Sequence, residues 1–108
     1  MGVNEVLMAA IEKAGLDDCS GERLPANVWF LWKPLRAACV ARAWHFDLCT
    51  LAAQRLRLLR RAGIDTSGLF AAFLTAIGLD PQSEEWAAVM VEFEAAQLRF
   101  SDGKDGEK

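Results

Sequence analysis

His45 and Cys49 stand four residues apart in the stretch AWHFDLCTLAAQRLRLLRRAG, residues 43–63, and His45 is the only histidine of the chain. On a helix that spacing puts two side chains on one face, one turn apart, as a pair of metal ligands requires. A structural zinc needs four ligands and a catalytic zinc normally three from protein. With no second histidine, the remainder would have to come from Cys19 or a carboxylate. The residue types therefore read as a half-buried helical His45 bonded to a carbonyl or carboxylate, and as cysteines serving as small core residues. No metal and no cofactor is expected. Haem ligation by His45 would need an aromatic-rich bundle, and Trp and Phe at helical spacing are first of all a core.

Other chemistry is no better supplied. Cys39 and Cys49, read on one helix, are separated by a rise of about 15 Å, beyond the roughly 7 Å Cα separation of a disulfide. Reduced thiols in a reducing compartment follow. Ser20, Ser67, Ser83 and Ser101 fall at expected caps, loops or the tail, and none sits in a nucleophile elbow. The segment GLDDCSG lacks both the spacing and the following Lys of a phosphate loop. No acid, base and nucleophile form a recognisable set, so the expectation is that the protein is not an enzyme.

The elements that would position these residues are helices. Val3, Val6, Leu7, Ala10, Ile11 and Ala14 keep a three-and-four rhythm, as do Leu69, Phe70, Phe73, Leu74 and Ile77, and then Trp86, Val89, Met90, Phe93, Gln97 and Phe100. KAGLDD, RAGIDTSG and AIGLDPQS each put Gly where a helix ends in a left-handed residue, an apolar residue that packs back, and an Asp that can cap. Asp65 or Ser67 would cap one following helix, and Asp80 with Pro81 another. No alternating strand is evident. The expected fold is all-α, a compact bundle of four main helices at 3–14, 34–62, 67–77 and 81–100. An extra short helix at 26–32 would precede the long second one. Residues 1–100 form a single helical domain and 101–108 a disordered tail.

The helix at 34–62 is the expected spine, starting at Pro34 as its first residue and ending at Gly63. Ala37, Ala41, Trp44, Leu48, Leu51, Leu58 and Ala62 form its seam, widened by Ala52, Leu56 and Leu59. Arg36, Asp47, Gln54, Arg57 and Arg61 lie opposite. Arg55 interrupts the seam, where an unpaired buried charge would cost several kcal/mol. Either it reaches water along its aliphatic stem, or it pairs with Glu92, Glu94 or a partner's acidic group.

Charge is unevenly spread. Residues 33–61 carry +6, residues 1–32 carry −3 and residues 64–108 carry −6, within a chain total of −3. A basic helix packed beside acidic ones accounts for that locally, and Arg57, Arg60 and Arg61 favour the negative end of their own helix. The last helix carries Glu84, Glu85, Glu92 and Glu94, which phosphate would repel. Nucleic acid could therefore touch only Arg57, Arg60 and Arg61, and this is the second reading of function.

The first reading is a protein-protein interaction module: an adaptor, regulator or inhibitor, or a homodimer. NVWFLWKP concentrates aromatic and basic side chains of the kind that anchor interfaces, and on a helix its three aromatics cannot share one face. The expected contact residues are Trp29, Phe30, Trp32, Lys33, Arg36, Arg57, Arg60 and Arg61. Buried, the same segment would be a lid on the bundle. No stretch has the roughly 18 uncharged apolar residues of a membrane span. The opening residues lack the basic and apolar regions of a secretory signal, so the expected location is cytoplasmic.

Overall fold

The computed structural model describes residues 2–16, 24–41 and 47–99. It contains five helices: α1 (Val3–Ala14), α2 (Ala26–Val40), α3 (Leu48–Arg61), α4 (Leu69–Ala76) and α5 (Glu84–Arg99). No strand occurs among the described residues. The all-helical expectation holds. Gly15, Gly63 and Gly78 all have positive φ, as the three stop signals require. At two of them the closing bond spans the last turn, Ile64 N–H to the Leu59 carbonyl at 2.9 Å and Leu79 N–H to the Leu74 carbonyl at 3.1 Å. Ile64 and Leu79 then pack against the core.

The single helix expected at 34–62 is corrected: it is two helices. Residue 41 is a turn, and Asp47 has the extended conformation φ −120°, ψ 116° of an N-cap. Its carboxylate accepts the Cys49 N–H at 3.0 Å and the Thr50 hydroxyl at 3.1 Å. The Leu48 N–H, freed at the new helix start, donates to Asn4 Oδ1 of α1 at 2.8 Å. Arg99 Nη2 reaches Thr50 Oγ1 at 3.0 Å, so the same end of α3 is tied to α5 as well. These contacts satisfy donors that a helix N-terminus leaves open. They reward a break that local sequence does not announce.

Upstream, the extra turn expected near 26–32 belongs to α2, which runs through Pro34 instead of starting there. Smaller differences concern caps. Ser83, rather than Asp80, starts α5: its hydroxyl accepts the Trp86 N–H at 3.1 Å, while Asp80 accepts the Gln82 N–H in a turn. Asp65 accepts the Ser67 N–H at 3.0 Å ahead of α4, and that bond holds its carboxyl below the ordinary range.

α3 packs on α5 and on α2, α1 covers α3 and α5, and α4 lies against α2. Trp32 of α2 is fully buried and stacks on Phe73 of α4, centroids 5.6 Å apart. Phe73 meets Phe70 at 6.1 Å, and Phe70 stacks on Phe93 of α5 at 3.9 Å. Four rings thus join three helices. Trp32→Ala should destabilise by about 3–5 kcal/mol through the cavity it leaves, and Asp47→Ala by about 1 kcal/mol through the lost cap. Urea unfolding followed by circular dichroism measures both.

Candidate functional site

A single turn of α2 carries both the inward and the outward members of the aromatic segment. At 100° per residue, positions 29, 32 and 36 share one face of α2, and 30, 33 and 37 a face about 100° round from it. Trp32 is wholly buried and Trp29 half-buried against the core. Phe30 is 46% exposed and Lys33 is exposed. Trp32 therefore leaves the expected contact set and joins the core. Arg36 is half-buried, with its Nε buried and unbonded among the described residues, as is Trp32 Nε1.

Pro34 leaves one carbonyl of α2 open toward α3. In a helix the N–H of residue 34 would bond the carbonyl of Phe30, and proline has none. Arg55 Nε of α3 supplies the donor, 3.1 Å from the Phe30 oxygen. The acceptor is thus a main-chain carbonyl, in place of the Glu92 or Glu94 carboxylate, and the half-buried arginine has only part of its length in contact with the core. A cation that breaks the apolar rhythm of one helix and a proline that breaks the bonding of another answer each other.

Restarting α3 at Asp47 keeps Leu48, Ala52, Leu56 and Leu59 inward and turns the rest of its expected seam outward or to the margin. Leu48, Cys49, Ala52, Ala53, Leu56 and Leu59 form the buried face. Leu58, expected in the seam, is 56% exposed, and Ala62 is exposed. Leu58, Gln54, Arg57 and Arg61 line a surface recess of about 240 Å³. Arg61 is exposed, whereas Arg57 and Arg60 are half-buried and engaged within the fold. The structure therefore brings Phe30, Lys33, Arg55, Leu58 and Arg61 to the outer sides of two bonded helices.

A second outward apolar surface escaped the reading of the sequence. On α5 the face Trp86, Val89, Met90, Phe93 packs inward as expected. Ala88, Val91, Ala95 and Leu98, at spacings of three, four and three, are all exposed, Val91 by 68% and Leu98 by 71%. The signal was present as a heptad-like repeat. Two alanines in it made it look like neutral helix surface.

His45 and Cys19 lie outside the described residues. Among the described residues no group of three His, Cys, Asp or Glu side chains could hold a metal ion. Cys49 is buried, its thiol donating weakly to the Val89 carbonyl at 3.9 Å. Burial, reinforced by the negative charges of Asp47 and Glu92, pushes this thiol up to about 12. It is a packed side chain, protonated through the neutral range.

Two outcomes follow. Because the folded thiol titrates above its ordinary value of 9.0, its contribution to stability is intact below that pH and declines between there and about 12. Native protein at neutral pH should accordingly leave Cys49 unalkylated by iodoacetamide, and urea-unfolded protein should not, as peptide mass spectrometry reads directly. For Arg55, a double-mutant cycle with Pro34 isolates the carbonyl bond. Arg55→Met should cost about 1 kcal/mol in the native background and little in Pro34→Ala, where the residue-34 N–H returns to the Phe30 carbonyl.

No protein-family model, no curated protein and no solved structure matches this chain, so the arrangement of its own side chains carries the functional reading.

Proposed function

We propose that this chain is a non-catalytic interaction module that binds a protein partner through the outer faces of α2 and α3. The supporting observation is the placement of Phe30 and Leu58, two large apolar side chains about half exposed, on helices joined by Arg55. Lys33 and Arg61 are exposed on those same helices. An aromatic and an aliphatic anchor with cations beside them suit an amphipathic helix whose polar side is acidic.

The non-catalytic part rests on how reactive groups are used. Cys49 is protonated in the core. The Ser83 hydroxyl caps α5, donating to the Asp80 carbonyl at 2.7 Å and accepting from Trp86. Arg57 and Arg60 are engaged within the fold, and Arg55 spends its Nε on a carbonyl, which leaves the nucleic-acid reading the weaker of the two. No helix among the described residues is long and apolar enough to cross a membrane.

Phe30→Ser/Leu58→Ser removes both anchors from exposed positions and should leave the helical circular dichroism unchanged. Affinity purification from the native host should retain a protein on the wild type and lose it on the double variant. An identical set of proteins on both would overturn the reading. Nucleic acid released by salt, and lost with Arg61→Glu, would replace it.

A further inference from the structure

We propose that a second copy of this chain docks its α3 ridge, centred on Leu58, onto the outer stripe of α5, so that copies associate head to tail. The inference rests on the α3 half of the interaction face proposed above and names its occupant.

The four large apolar residues most exposed among those described fall into two pairs: Phe30 with Leu58, and Val91 with Leu98. The second pair lies on a stripe completed by Ala88 and Ala95. Alanine at alternate positions lets another helix approach closely, and the spacing is that of a two-helix seam. Beside α5's stripe, the groove between α1 and α5 forms a recess of about 370 Å³ lined by Val3, Val6, Glu84, Glu85, Ala88 and Val89. A single protruding aliphatic side chain with an exposed cation one turn on, Arg61, fits such a hollow. Leu58 is 56% exposed between Gln54 and Arg61, one turn away in each direction.

Charge selects this pairing over the symmetric ones. Around the α5 stripe stand Glu84, Glu85, Glu92 and Glu94, all exposed, against Arg99 alone. Two α5 faces brought together would oppose glutamate with glutamate, and two α3 faces would bring their exposed Arg61 side chains together. Setting α3 against α5 pairs the signs. An interface between different patches of the same chain is heterologous, and it propagates as a ring or an open filament.

Sedimentation velocity of the full chain across the micromolar to millimolar range tests this. Wild type should form species larger than the 11.9 kDa monomer, weakening as salt rises. Val91→Lys/Leu98→Lys blocks one patch and Leu58→Glu the other. Each should weaken association by about tenfold or more while keeping the helical signal, because all three positions are exposed. Mixed in equal amounts, the two variants should form a 1:1 dimer that does not grow, since each retains the patch the other lacks.

A monomeric wild type throughout, association unaffected by either variant, or mixtures that fail to pair would overturn the inference. A monomer that still loses a host protein on Phe30→Ser/Leu58→Ser would overturn it while the interaction reading stands. A chain that neither self-associates nor retains any protein would end both.

Discussion

Proline at position 34 leaves the Phe30 carbonyl without its helical donor, and the Arg55 guanidinium fills that place from the neighbouring helix at 3.1 Å. This bond ties the exposed edges of two helices whose inner faces already share the apolar core. It joins α2 to α3 at a point where one helix has surplus acceptor and the other surplus charge. It holds the half-buried Arg55 at the edge of the core, with its Nε–H on a main-chain carbonyl. A buried arginine facing a carboxylate would have needed costly desolvation of both groups. A carbonyl acceptor avoids taking a second charge out of water.

Behind that edge, the interior is organised by rings. Trp32, Phe73, Phe70 and Phe93 run from α2 through α4 to α5, and the short α4 contributes the two central members. A helix of eight residues has little stability of its own. Its packing between larger neighbours makes it structural. At the start of α3, Asn4, Asp47, Thr50 and Arg99 form a polar clasp in which α1, α3 and α5 meet. Apolar contacts supply the bulk of the stabilisation, while the clasp decides where α3 begins.

How much of this was legible can be seen at particular residues. α1 was readable to its ends, because its periodicity, Gly15 and the following Leu16 are all local signals. The stops at Gly63 and Gly78 were readable for the same reason. Asp47 was not. An aspartate on the wet side of a continuous helix and an aspartate capping a new one have the same neighbours in sequence, and the contact that separates them comes from Asn4, 44 residues away. Pro34 posed a similar problem. A proline at the first position of a helix is favourable, and nothing nearby showed that Arg55 would compensate one placed in mid-helix. With both boundaries misplaced, Leu58 falls in the expected seam, and Trp32 stands among the expected contact residues with burial in a lid as the alternative. The outer stripe of α5 was missed because the inner stripe had already accounted for that helix.

That second stripe also raises the question of rotational register. A helix apolar on two sides can meet a core with either one, and rotation about its axis by roughly half a turn exchanges them. On α5 the inner side offers Trp86, Val89, Met90 and Phe93, and the outer side only Ala88, Val91, Ala95 and Leu98. The difference in volume favours the observed orientation, and the near-parallel stack of Phe93 on Phe70, with planes 10° apart, fits it closely. That ring therefore works as a key as well as a filler. Its bulk separates one orientation of α5 from the other, leaving the smaller stripe outside where another molecule can reach it.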